Sequence, residues 1–167
     1  TAERVLCISL NQSHTCFTVG TTQGFRVFEL QPLKIRYRRD WGSGIGIAEL
    51  YMRSNILALV GGGPVPRYPP NKVVIWDDYQ AKSIAELEFS GEIRGLKLRQ
   101  ERLLVALDNA VFVYNFKDLS YLLQFPTAAN PAGLVLMNES LPLLELFPAQ
   151  TQGALTLRTE TFDAAGR

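Results

Sequence analysis

The sequence predicts an all-β fold, a WD-repeat-like β-propeller with about four blades in this chain. Three observations carry the prediction. Short apolar runs recur in groups of four. Matching runs begin at Val5, Ile47, Ile93 and Ala132, and third runs begin at Phe25, Lys72, Ala110 and Gly153. A four-strand unit repeating every ~40–45 residues is the spacing of a propeller blade. The second run of each group (ILALV, LLVAL, LPLLEL) is almost wholly apolar, as a strand covered on both faces must be.

The groups span approximately residues 5–41, 46–89, 93–127 and 132–159. The first reads VLCISLN, CFTVGTT, FRVFEL and IRYRRDW. Its last run alternates, with Ile35 and Tyr37 set against Arg36 and Arg38, the pattern of an outer strand charged toward solvent. The second reads IAELYM, ILALVG, KVVIWDD and SIAELEF, and again its fourth run alternates: Ala85, Leu87 and Phe89 against Glu86 and Glu88. The third reads IRGLKLR, RLLVALD, AVFVYNF and YLLQFPT, with Asp108-Asn109 as a tight hairpin turn. The fourth begins AGLVLMN, LPLLELF and GALTLRT. Gln23-Gly24 and Gln152-Gly153 precede third strands, where glycine can take positive φ. Trp76-Asp77 is a lone WD dipeptide. The rival α/β reading would make RGLKLRQERLLVAL a helix, but a 3.6-residue stripe is lacking and Gly95 costs about 1 kcal/mol there. The last residues, TETFDAAGR, read as a loop or frayed end.

Composition excludes several functions. The chain is 47% hydrophobic and 20% charged with net charge +1, so it is globular and has no overall attraction for nucleic acid or an anionic membrane. Cys7 and Cys16 sit in apolar contexts and read as reduced, buried thiols of an intracellular protein. One histidine and no CxxC pair leave no zinc site. No run approaches the ~18 apolar residues of a membrane span.

Candidate chemistry is sparse. Gly42, Gly44 and Gly46 imitate half a dinucleotide fingerprint, but the residues after them read as a strand, so they are expected to form a flexible inter-blade linker. Gly61 to Gly63 lack the lysine and hydroxyl of a phosphate loop. His14 reads as a solvated turn residue without nucleophile or orienting acid. Asp77-Asp78 reads as a turn. No catalytic residue, cofactor or metal is expected. Lys34, Arg36, Arg38 and Arg39, interleaved with Tyr37 and Trp41, could touch phosphates or form the outer face of an edge strand. The segment PVPRYPPN is different. It is a long loop between two strands, where hairpin loops usually span ~2–5 residues. Its four prolines stiffen it, so that Arg67 and Tyr68 are presented with little entropy left to lose; the residues by themselves fit a binding loop and a passive connector equally.

The series SLNQSHTCFTVGTTQGFRVFELQPLK, RSNILALVGGGPVPRYPPNKVVIWDD and NPAGLVLMNES with LELFPA, from about Val5 to Ala149, resembles the PROPPIN family. These are WIPI-type polyphosphoinositide-binding propellers, and PPNKVVIWDD resembles the WIPI-three/Hsv-two branch most. The resemblance implies a seven-bladed, non-catalytic effector of phosphatidylinositol 3-phosphate and 3,5-bisphosphate in autophagy. It would be cytoplasmic and peripheral on autophagosomal, endosomal or vacuolar membranes. The family's Phe/Leu-Arg-Arg-Gly headgroup motif does not occur here; Arg38-Arg39 continues into Asp40-Trp41. Headgroup residues are therefore expected in none of this segment, which covers about the first half of such a ring. A second polypeptide or missing segment would complete it and meet the membrane; a closed four-bladed ring is the alternative. The resemblance also implies a docking loop at 63–71 for the large lipid-transfer protein of autophagy. Its expected partner-binding residues are Pro64, Pro66, Arg67 and Tyr68, with Asn11 from the turn after the first strand. Ser13 stands where some members carry an acid. The competing function is a WD-repeat-like protein scaffold without lipid binding.

Overall fold

The computed structural model describes residues 2–99, 101–138 and 143–160. Their regular elements are all strands, and they fall into two compact units, Thr1–Ile93 and Arg94–Arg167. The expectation of an all-β chain therefore holds, and the stretch considered as a rival helix forms two paired strands instead.

The first unit holds two four-stranded antiparallel meanders. Strands β1 (Val5–Leu10), β2 (Cys16–Thr21), β3 (Gly24–Leu30) and β4 (Leu33–Asp40) make one sheet in that order. Strands β5 (Ile45–Leu50), β6 (Ile56–Gly61), β7 (Lys72–Asp77) and β8 (Lys82–Glu88) make the other. The central strands carry the core, as their unbroken apolar runs require. Leu57 and Leu59 of β6 and Val73 and Val74 of β7 are fully buried. Between the sheets, Cys16, Phe25 and Val27 pack with Ile45, Ala48 and Trp76. Each large side chain among them contributes about 1.5–3 kcal/mol by leaving water.

The second unit repeats the plan. Strands β9 (Gly95–Arg99), β10 (Arg102–Ala106), β11 (Ala110–Asn115) and β12 (Tyr121–Pro126) form a four-stranded sheet. Beside them, β13 (Leu136–Met137), β14 (Leu143–Pro148) and β15 (Leu155–Glu160) form a three-stranded one. Leu104, Val111 and Val113 pack against Val135, Met137 and Phe147. The Leu107 N–H donates to the Ala110 carbonyl at 2.8 Å, which closes the Asp108-Asn109 turn. Of the terminal loop expected at TETFDAAGR, residues 161–167 lie outside the described residues, as do Leu141 and Pro142 of the expected apolar run.

Pairing irregularities recur at equivalent places. On the outer strands, Arg36, Ile84 and Leu122 are each skipped by the register with the preceding strand. On the inner strands, Leu6 and Gly46 are skipped. An extra residue inverts the side-chain phase and sharpens the twist. This corrects one expectation. Ile35 and Tyr37 do not share a face: with Arg36 bulged between them, Ile35 is exposed while Tyr37 packs inward.

Two apolar sheet faces are uncovered. In the first sheet, Ser9 and Thr18 point at the second sheet, hydrogen-bonding Glu49 and the Ala48 carbonyl. Ile8, Leu10, Leu33 and Ile35 therefore line the opposite face, all exposed, beside the stacked rings of Phe17 and Phe28. In the second unit, Leu136, Leu155 and Leu157 are more than half exposed.

Candidate functional site

The β6–β7 connection is held in place by backbone contacts that only glycine permits. A Cβ on Gly61 would lie 1.8 Å from the Tyr68 carbonyl oxygen, and one on Gly44 would lie 2.1 Å from that of Gly62. That closeness lets the loop lie along residue 44: the Gly44 N–H donates to Val65 O at 2.7 Å, and the Arg67 N–H donates to Gly44 O at 2.9 Å. The far end is anchored too, with the Asn71 side chain donating to Phe89 O and the Ile93 N–H donating to Pro70 O, both at 2.9 Å. Gly44 and Gly46 are thus not a flexible linker. They are close-approach positions, with Gly46 the bulged residue of β5.

Side chains complete the loop. The Arg67 guanidinium sits 5.1 Å from the Trp41 ring centroid and 5.8 Å from that of Tyr68. Trp41 in turn meets Tyr68, Trp76 and Phe25 edge-on, so an aromatic series runs from the core to the arginine. Burial raises the Tyr68 phenol pKa; the hydrogen bond and charge of Arg67 oppose this without cancelling it. Pro64, Pro66, Arg67 and Tyr68 are thereby brought together, with Val65 63% exposed among them.

Asn11 is elsewhere. The β1–β2 turn adjoins Met52 at the far end of β5, whereas the loop adjoins Gly44 at its near end, a separation of about 17–20 Å along the strand. The Asn11 side chain is also 0% exposed. Its Oδ1 accepts the N–H groups of Thr15 and Cys16, each at 2.9 Å, and its Nδ2 donates to Met52 O at 2.8 Å. The Asn11 carboxamide is thus engaged in shaping the turn.

The basic run is likewise engaged within the chain. Arg39 Nε donates to Asp78 Oδ1 at 2.8 Å, and Asp78, 8% exposed, also accepts the Trp76 indole N–H. Arg36 reaches the Arg53 carbonyl and Cys16 Sγ. Arg38 pairs with Asp40, and Lys34 pairs with Glu29, which Arg53 also engages. The bulge turns Arg36 and Arg39 toward the second sheet, so the run joins the two sheets and is not simply an outer charged face. Asp77 caps the next turn as expected, accepting the Tyr79 and Gln80 N–H groups.

At the Asn11 end, an open pocket of about 420 Å³ is lined by His14, Thr15, Glu29, Leu30, Gln31 and Arg53. His14 holds a left-handed φ of 52° in the turn. Among the described residues, no three His, Cys, Asp or Glu side chains group as metal ligands, and no helix is long and apolar enough to cross a membrane.

Sequence reasoning missed Trp41 as the support of Arg67. Its signal was an aromatic residue placed directly before a glycine-rich strand start, which read equally well as part of a basic patch.

Known proteins share both the sequence and the fold. A family model described as PROPPIN matches residues 4–159. The SVP1-like protein 2 of Schizosaccharomyces pombe is 35% identical over 152 residues, covering 90% of this chain and 42% of that protein. The autophagy-related protein 18e of Arabidopsis thaliana is 39% identical over 134 residues, covering 78% and 36%. The chain thus spans about two-fifths of the length of these curated relatives. Among solved structures, Kluyveromyces lactis Hsv2 superposes with a TM-score of 0.79 at 17% identity, over 98% of this chain and 47% of that one. KlAtg21, in a complex with the coiled-coil of AgAtg16, gives 0.74 at 16% identity, over 98% and 54%. At such identities the likeness shows the fold, a β-propeller.

Proposed function

The chain belongs to the PROPPIN family, and from that premise we propose that it is the protein-docking part of a non-catalytic phosphoinositide effector in autophagy. The 63–71 loop docks a large lipid-transfer protein through Arg67 and its neighbours. Further blades complete the ring and carry the headgroup pockets for phosphatidylinositol 3-phosphate or 3,5-bisphosphate. The protein acts from the cytoplasm as a peripheral component of autophagosomal, endosomal or vacuolar membranes.

The observation that carries the docking role is the fixed loop, with an exposed arginine laid on an aromatic base. Rigid presentation of a side chain that would otherwise lose entropy on binding favours recognition. Two observations support further blades: the apolar side chains left exposed on the first and last sheets, a kind of surface that marks an interaction site, and the chain's two-fifths share of its relatives' length. The engaged cations of residues 34–39 support headgroup pockets located outside this segment.

The test is vesicle flotation with the full-length protein. Binding should require a 3-phosphorylated inositol lipid and disappear when that lipid is replaced by phosphatidylinositol. Absence of lipid binding, with partner capture intact, would support the protein-only scaffold instead, a reading favoured by the same engagement of every cation in 34–39.

A further inference from the structure

We propose that Arg67 on its aromatic base is a receptor for a carboxylate, and that the segment docking there is acidic with apolar flanks. The inference rests on the docking role of the 63–71 loop and adds the chemistry of what docks.

The charge inventory points to it. Arg26, Arg38, Arg39, Arg53, Arg94 and Arg158 each pair with a carboxylate. Among the described residues Arg67 pairs with no carboxylate, and neither do Arg4 and Arg36. Arg36 is spent on the Arg53 carbonyl and Cys16 Sγ, whereas Arg67 is laid on the faces of two rings, Trp41 and Tyr68, and hydrogen-bonded to the Tyr68 side chain. Glu86, close enough to Tyr68 to act on its phenol, is taken by Lys72 at 2.9 Å. A guanidinium has five N–H donors in a fixed fork that matches a carboxylate. Stacking holds that fork with only the bond to Tyr68 drawn from it, so its other donors stay available for an incoming anion.

The backbone excludes the other common way to dock on an extended loop. Prolines 64, 66, 69 and 70 have no N–H, and the Arg67 N–H is already given to Gly44 O. Too few consecutive donors remain for a partner to add itself as a regular strand. Recognition then falls mainly to side chains, and Arg67 and the exposed Val65 are among those presented. A carboxylate beside an apolar residue complements both. A phosphate-bearing surface fits less well: it would call for a second cation, and Lys72 is committed to Glu86.

The probe is a synthetic eight-residue peptide alternating Leu with Asp and Glu, compared with its Asn/Gln counterpart, each titrated into the full-length protein by calorimetry. The acidic peptide should bind saturably, about tenfold or more tighter than the amide peptide, as a charge-assisted pair predicts. Its affinity should fall with added salt. Arg67→Gln should cost about tenfold, and Arg67→Lys, which keeps the charge but not the fork, should fall between. Arg67 is exposed, so losing its ring contacts should lower the unfolding temperature of Arg67→Gln only slightly and leave it folded; should Arg67→Gln not fold, Arg67→Lys decides alone. Equal binding of the two peptides, no binding of the acidic one, or indifference to Arg67→Gln would overturn the inference. Capture of the lipid-transfer protein by a variant with residues 63–70 replaced by glycine and serine tests the docking role separately. If capture is lost while the peptides bind alike, the chemistry fails and the docking role stands. If capture persists, the docking role fails, and Arg67-dependent binding of the acidic peptide would leave a carboxylate site with another occupant.

Discussion

Replacing Asn11 by alanine separates a shaping residue from a contact residue. The substitution leaves three groups without their partners: the N–H groups of Thr15 and Cys16, each 2.9 Å from Oδ1, and the Met52 carbonyl, 2.8 Å from Nδ2. Asn11 is 0% exposed, so water cannot simply take its place. At about 1 kcal/mol net for each lost hydrogen bond, the change destabilises the protein by about 3 kcal/mol. In a chain of 167 residues, each kcal/mol lowers the midpoint by about 2–4 °C, giving a fall of about 6–12 °C. Thermal unfolding followed by far-ultraviolet circular dichroism reads this directly. Asn11→Asp keeps the acceptor and loses the donor to Met52, so it should fall between wild type and alanine. If Asn11→Ala unfolds within about 2 °C of wild type yet fails to capture the partner protein, the side chain is a contact residue and the burial argument is wrong.

Two further predictions concern the loop and the turn. Gly61→Ala must push the Tyr68 backbone away from a 1.8 Å clash, costing about 3 kcal/mol or more and changing Trp41 fluorescence. Gly42→Ala meets nothing within 4 Å and bears only the strain of its φ of +66°, about 1–2 kcal/mol; equal midpoints for the two variants would contradict the geometry. For Asp77, desolvation raises the carboxyl pKa, but hydrogen bonds from Gln80, Asn55 and the Tyr79 N–H outweigh it, and the net shift is below the ordinary 3.8. A depressed carboxyl stabilises the fold above its unfolded pKa and loses that contribution as pH falls through the folded value. The advantage of wild type over Asp77→Asn in urea unfolding should therefore be full at pH 6 and shrink as pH falls through the lowered carboxyl range; a difference that stays constant into strong acid would contradict the assignment.

The strands were legible in the residues alone. An unbroken apolar run such as ILALV fits a strand covered on both faces, and its recurrence every ~40–45 residues in groups of four points to like units. Each run is legible from residues a few positions apart, and the repeat from matching those runs along the chain. The proline-rich loop was legible for the same reason, because proline acts on its own backbone. Packing between sheets settled the rest. One bulged residue, Arg36, inverts the phase of β4, so that Ile35 faces out and Arg39 finds Asp78, thirty-nine residues along the chain. Asn11 read as a turn residue free to meet a partner; the end of β5 buried it. Trp41 read as part of a basic patch; packing on Phe25 and Trp76 made it the base on which Arg67 rests. The physical reason is common to all three. A side chain's environment is set by which sheet packs against it, and that depends on register and twist summed over the whole unit, which no local pattern encodes.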